Sequence, residues 1–264
     1  MLTMTSAAVT HRGRVRETNE DSVFVADRLV VVADGMGGHA AGEVASRIAV
    51  ERMRELAAGP LQPDDVVAAV VDADRLIRED GAHTLGHAGM GTTLCGVALA
   101  DAQTDDTSER CVVFNVGDSR VYSYGDGVLA QVSVDHSEVQ ELRDAGKLSE
   151  VAAALYPRRN VITRALGGAA GVTPDVWTLD PGPATRFLVC SDGLSGEVDD
   201  DEIASVLGAH TLAQDAADAL LDTALTAGGH DNITVVVADV HSVAPRGGPV
   251  SATAQTTVQA TGAG

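Results

Sequence analysis

The order of secondary-structure signals predicts an α+β protein: two antiparallel sheets packed face to face with helix pairs outside, a four-layer α-β-β-α sandwich. Three observations carry that expectation. Segments such as "LVVVAD", "TTLCGVALAD" and "NITVVVADV" are short, apolar and β-branched, as strands buried on both faces are. Several strands follow one another with no helix between them, which antiparallel pairing allows and a parallel sheet does not. Helical periodicity comes in adjacent pairs instead of alternating with strands.

Along the chain, a short N-terminal strand precedes "SVFVAD" and "LVVVAD", neighbouring strands that each end in aspartate. "GEVASRIAVERMRELAAG" sets Val44, Ile48, Met53 and Leu56 near helical spacing, with Gly59-Pro60 as its stop. "PDDVVAAVVDADRLIREDG" is a second helix, with Asp64 as the expected N-cap. Four strands follow, "TTLCGVALAD", "RCVVFNVGD", "SRVYSYGDG" and "VLAQVS", with a hairpin turn at Gly125-Asp126-Gly127. "SEVQELRDAG" reads as a short helix, and Lys147 to Gly168 as irregular chain. "DVWTLD" and "RFLVCSD" restore strands, two helices fall near 199–208 and 211–226, and "NITVVVADV" is the last strand. Residues 1–242 therefore read as one domain. From 243 to 264, Ala, Thr, Gly and Pro dominate without period, the composition of a disordered tail.

Composition narrows the functional classes. A chain of 264 residues can bury a substantial core, and with 45% hydrophobic but only 3% aromatic residues that core is built from Val, Leu, Ile and Ala. A formal net charge of −20 repels phosphate backbones and anionic headgroups, so neither nucleic acid nor a membrane is an expected partner. Cys95, Cys111 and Cys190 sit in apolar runs without a CxxC pair, which reads as buried reduced thiols. The N-terminus carries no signal-peptide pattern, and no run approaches the roughly 18 apolar residues of a membrane span. The expectation is a cytoplasmic monomer.

Asp34 in "VVVADGMGG", Asp118 in "VVFNVGDSR", Asp192 in "FLVCSDGLS" and Asp231 in "GGHDNITVVV" share one context: an apolar strand end beside Gly or Asn. A D-G pair alone is an ordinary turn signal. Four carboxylates delivered this way, with few cations beside them, are costly to ionise unless a divalent ion answers them together. All-oxygen ligation suits Mg²⁺ or Mn²⁺ and not zinc. Gly35 lets the main chain approach closely enough for its carbonyl to join the shell. Ahead of these lies "RGRVRETNEDSVF", in which Arg16, suited to clamping a phosphate, is followed by Asn19, Glu20 and Asp21.

With "VRETNEDS", "VVADGMGGHAAGEVAS", "GMGTT", "FNVGDSRVY", "DHSEVQEL", "NVITRALG", "LVCSDGLSGEV" and "GGHDNITVVV" in this order, the chain resembles the metal-dependent protein Ser/Thr phosphatases of the type 2C class, in their bacterial form. The resemblance spans about residues 12 to 240 and implies the same sandwich fold. It implies two Mn²⁺ or Mg²⁺ ions bridged by Asp34, with the Gly35 carbonyl, Asp192 and Asp231 completing the protein ligands. Asp118, with Asp192, would hold a third ion. Arg16 would grip the phosphate, Glu20 and Asp21 would act through water, and Asn232 would orient its neighbours. The implied chemistry is in-line attack by metal-activated water on phosphoserine or phosphothreonine in proteins. The implied partners are phosphorylated proteins, among them Ser/Thr kinases or sigma-factor regulators.

Met36 stands where many eukaryotic members carry a histidine that protonates the leaving group. His39 is a candidate for that role, and a metal-bound water is the other. The segment from 137 to 160 corresponds to the family's variable flap, where Arg158 and Arg159 are candidate contacts for an acidic phosphopeptide. A catalytically silent regulatory pseudophosphatase is the alternative on the same fold, although Asp34, Asp192 and Asp231 are all present. An unrelated acidic-triad nuclease is a second alternative, and the net charge opposes it.

Overall fold

Strand β3 (Leu29–Ala33) shows how the molecule is put together, because its residues divide between two cores. Leu29, Val31 and Ala33 point to a helix-covered core, while Val30 and Val32 point into a core between two sheets. That division makes the whole strand apolar, and it is why "LVVVAD" shows no polar alternation. The computed structural model describes residues 2–37, 41–59, 61–102, 109–154, 156–158, 160–182 and 184–242. The segment 243–264, read above as a tail, lies outside them.

One five-stranded antiparallel sheet contains β3 with β2 (Ser22–Ala26), β6 (Leu94–Ala100), β7 (Arg110–Val116) and β10 (Asp175–Leu179), in the order β10-β7-β6-β3-β2. The other has the order β1-β12-β11-β8-β9, formed by β1 (Leu2–His11), β8 (Arg120–Gly125), β9 (Val128–Gln131), β11 (Ala184–Cys190) and β12 (Ile233–Ser242). Helices α1 (Ala41–Leu56) and α2 (Pro63–His83) cover the first sheet through Ala45, Met53, Val66 and Ile77. After the short helix α5 (Asp192–Ser195), helices α6 (Asp200–Ala209) and α7 (Ala213–Ala227) cover the second through Ile203, Leu207 and Leu220. Four layers result, as the element order predicts.

β8 and β9 turn through Asp126 and Gly127, both with positive φ (52° and 80°), the two-residue turn whose twist suits a hairpin. The N-terminus of α2 differs from expectation. Gln62 caps it, with its N–H bonded to the Asp65 carboxylate at 3.0 Å, and Pro63 opens the helix, so Asp64 lies inside the first turn. Proline is pre-shaped for the first helical position, which moves the cap one residue before it. The irregular stretch after α3 (Glu138–Asp144) contains a short helix, α4 (Glu150–Ala154). All three cysteines are free and buried; Cys95 and Cys111 lie between the sheets, and Cys190 packs against the α6–α7 layer.

Candidate metal centre and active site

Strand register brings the acids together. Ser22 pairs with Ala33, so Asp21 and Asp34 are neighbours just beyond that end of the first sheet. Cys190 pairs with Arg120 and with Val235, which sets Asp192, the Asp118 turn and the Asp231-Asn232 entry to β12 at the same end of the second. Antiparallel strands thus deliver their starts and stops to one edge of the sandwich. Each carboxylate is set there by local packing.

The Asp34 backbone is clamped on both sides. Its N–H donates to Thr93 Oγ1 (2.9 Å), and its carbonyl accepts from Thr92 Oγ1 (2.8 Å) and the Thr93 N–H (2.9 Å). Those threonines belong to "GMGTT"; Gly91 and Thr92 form β5, paired with Gly35 and Met36 of β4. Leu166, in "RALG", hydrogen-bonds Thr92 from the far side through both backbone groups. The next residue, Gly167, donates its N–H to Asp74 (2.9 Å), a fully buried acid on α2 paired with Arg78. A chain of contacts therefore runs from helix α2 to the Asp34 backbone.

Glycines close the remaining distances. A Cβ on Gly35 would collide with the carbonyls of Gly42 and Glu20, so close backbone packing alone demands glycine there. A Cβ on Gly193 would fall on the carbonyl of Asn232, locking the "SDG" and "HDN" motifs together. Asn232 staples the N-terminal loop to this edge: Nδ2 donates to the carbonyls of Arg12 (3.0 Å) and Thr18 (2.8 Å), and Oδ1 accepts from the Glu20 N–H (2.8 Å). That staple sets Arg16 against Asp231, Nη2 to Oδ2 at 2.6 Å. Asp118 sits on a turn held by His136, whose Nδ1 accepts from the Gly117 N–H (3.0 Å) and whose Nε2 bonds Asp175 (3.0 Å).

Electrostatically this edge is strained toward cations. Burial, then the neighbouring carboxylates led by Asp21 and Asp192, holds the Asp34 carboxyl far above the usual range. Burial, opposed by hydrogen bonds from Thr234 and Ser191, raises Asp21. Burial and Asp192 raise Asp118, and burial and Asp231 raise Asp192. The Arg16 guanidinium is pushed up, first by its bond to Asp231. The charge on Asp192 is among those that hold the Asp34 carboxyl up, a repulsion that a cation between the acids would relieve.

Four buried side-chain oxygens lack a hydrogen-bond partner among the described residues, and three are the Oδ1 atoms of Asp21, Asp118 and Asp192. Orphaned, acceptor-only oxygens are the donor set of Mg²⁺ and Mn²⁺, so these residues fit such ions. No three His, Cys, Asp or Glu side chains among the described residues surround one point tightly enough to ligate an ion unaided. Backbone carbonyls and water would complete the shell, as hard cations accept.

An open cleft of about 690 Å³ leads away from Asp118, Asp192 and Asp231 and is walled by Ser137, Gln140 and Arg143 of the flap. Two arginines of this region are already paired: Arg158 of the flap bonds Glu138 at 2.7 Å, and Arg164, beyond it, bonds Asp175 at 2.8 Å. Arg158 therefore offers less free positive charge than its sequence context suggests. His39 and Arg159 lie outside the described residues. The sequence does not single out Thr92, Thr93 or Asp74, and it offers His136 only as a histidine near the general-acid position, because the roles of these residues depend on partners distant in the chain.

A family model described as protein phosphatase 2C matches residues 10–227. The chain belongs to the protein phosphatase 2C family. It is 39% identical over 252 residues to the serine/threonine protein phosphatase PstP of Mycobacterium tuberculosis, covering 90% of this chain and 45% of that protein. It therefore spans less than half the length of that relative. The serine/threonine phosphatase stp of Listeria monocytogenes is 34% identical over 242 residues, covering 87% of this chain and 93% of that one. Among solved structures, the catalytic domain of PstP in complex with two manganese ions superposes with a TM-score of 0.82 at 38% identity, covering 92% of this chain and all of that one. No helix among the described residues is long and apolar enough to cross a membrane.

Proposed function

We propose that this protein phosphatase 2C member is a Mn²⁺- or Mg²⁺-dependent protein serine/threonine phosphatase. The observation that carries the reading is the gathering of Asp21, Asp34, Asp118, Asp192 and Asp231 at one sandwich edge beside Arg16, with three of their oxygens unpartnered among the described residues. Asp34, the Gly35 carbonyl, Asp192 and Asp231 would hold two ions, and Asp118 with Asp192 a third. Bound there, the ions would supply Lewis acidity to make water a nucleophile at neutral pH and positive charge for the phosphoryl oxygens.

The chain's own residues do the rest. Arg16, about half exposed and reaching Asp231 from the loop stapled by Asn232, takes the substrate phosphate in two-pronged fashion. Its guanidinium then matches charge developing on the equatorial oxygens during in-line displacement. Asp21, held by Ser191 (2.9 Å) and Thr234 (2.6 Å), and Glu20, beside Arg16, orient ordered water at the edge of the site. Asn232 fixes Asp231 through its N–H (2.8 Å to Oδ1). His39 is kept as the candidate general acid.

Residues 1–242 would form the catalytic domain and 243–264 an appended tail. Ser/Thr-phosphorylated proteins are the proposed substrates, with Ser/Thr kinases or sigma-factor regulators as partner classes. A cytoplasmic location suits the three buried free thiols, and a monomer is the proposed state. Hydrolysis of p-nitrophenyl phosphate and a phosphothreonine peptide with Mn²⁺, Mg²⁺ or EDTA tests the reading. Turnover that requires metal supports it; folded protein inactive under every metal refutes it.

A further inference from the structure

His230 is an exposed side chain that is held as a buried one usually is. The Glu197 carboxylate, itself largely buried, accepts from the His230 N–H (3.0 Å) and from Nδ1 (2.7 Å). A carboxylate only accepts, so the neutral ring carries its proton on Nδ1 and presents Nε2 as an acceptor, which has no partner among the described residues. The ring also packs on Gly228 so closely that a Cβ there would overlap Cε1 and Nδ1. Yet the side chain is 72% exposed and lines the cleft that runs from Asp231 to the flap. Exposed side chains normally keep their rotamer freedom, and fixing one forgoes that entropy. A ring hydrogen bond, a backbone hydrogen bond to the same carboxylate and a glycine under the ring, all holding an exposed imidazole beside the site, imply a contact made there.

We propose that His230 is a substrate-contacting residue, accepting at Nε2 a hydrogen bond from a backbone N–H of the polypeptide that carries the phosphorylated side chain. The inference rests on the phosphatase reading above and names the cleft wall that distinguishes a phosphoprotein from a small phosphate ester. His230 lies next to Asp231, on the stretch that also meets Arg16. A phosphate gripped by Arg16 would thus leave the flanking peptide within the cleft that His230 lines.

The test compares His230→Ala and His230→Gln with the unaltered protein in Mn²⁺, using a phosphothreonine peptide and p-nitrophenyl phosphate, which has no peptide N–H. His230→Ala should raise the peptide KM about fivefold relative to the KM for p-nitrophenyl phosphate, the loss of one hydrogen bond. His230→Gln, whose Oε1 reaches about where Nε2 stands, should restore most of that ratio. An unchanged ratio, or equal effects on both substrates, overturns the proposal. Fluorescence polarisation with a non-hydrolysable phosphonate peptide provides a readout independent of turnover. Weaker binding by His230→Ala in a protein that hydrolyses neither substrate would sink the phosphatase reading and keep the contact. Unaltered binding sinks the contact.

Discussion

Asp192 and Arg143 line the same cleft but are supported in opposite ways. Asp192 follows β11, whose Leu188 and Cys190 fill the helix-side core while Phe187 and Val189 fill the core between the sheets. Arg143 rides on α3, which buries none of its residues, and its charge is met by Glu150 at 3.8 Å. One wall is anchored in two cores and the other in none. Groups that must hold ions and phosphate within tenths of an ångström belong on the first kind of support, and groups that must fit varied polypeptides belong on the second.

The sharpest way to break that contrast is at Asp34. Asp34→Asn should reduce kcat/KM about 10³-fold, the order of losing a main electrostatic contact to the transition state. In EDTA its melting temperature should not fall, because the change removes a carboxylate that burial and four neighbouring acids already disfavour. A loss of melting temperature there would mean that Asp34 supports the fold. Paired glycine variants come next. Gly193→Ala should cost more than about 2 kcal/mol in urea unfolding, since its Cβ meets the Asn232 carbonyl. Gly146→Ala, at φ +64° in open space within the flap, should cost only about 1 kcal/mol.

Asp74 tests whether the rigid wall extends to helix α2. Asp74→Ala strands the Gly167 N–H and should cost about 2 kcal/mol, while Asp74→Asn, which keeps an acceptor, should recover much of it; equal urea midpoints for the two variants would break the connection. On the flap, Arg158→Glu faces Glu138 and should destabilise by less than about 1 kcal/mol. It should raise the peptide KM a few-fold relative to p-nitrophenyl phosphate, and parallel changes would remove Arg158 from recognition.

The smallest effect is a pH dependence at Asp175. Burial works against its ionised form, but hydrogen bonds from His136 and Arg164 outweigh it and hold the carboxyl below its ordinary 3.8. A lowered folded-state value contributes stability that is present above 3.8 and lost as pH falls through the folded value. The stability gap between the unaltered chain and Asp175→Asn should therefore be open from pH 5 upward and close only below about 3.8. A gap that closes nearer neutrality would assign it to another group.

The sequence exposes the rigid wall better than its supports. Asp34, Asp118, Asp192 and Asp231 stand out because a polar residue at the end of an apolar run is a local anomaly. Sheet order follows from strands succeeding strands. The β4–β5 pair has no such signal, since Gly-Met and Gly-Thr carry no strand periodicity. Asp74 reads as any helix acid until Gly167, 93 residues away, is seen to need it. Glu197 and His230 look like loop polars for the same reason. The N-cap of α2 departs from the sequence pattern for a more local cause, because the proline at its first position competes with the aspartate that follows.

β1 lies along β12, Leu2 opposite Ser242, and Asn232 at the start of that same strand staples the loop bearing Arg16. A ribosome releases β1 long before β12. Arg16 and the Asp231 it meets are thus brought together only once β12 has emerged. A nascent chain carrying Asp34 and Asp118 lacks that pairing until then, and a product ending before Asp231 would lack the proposed site.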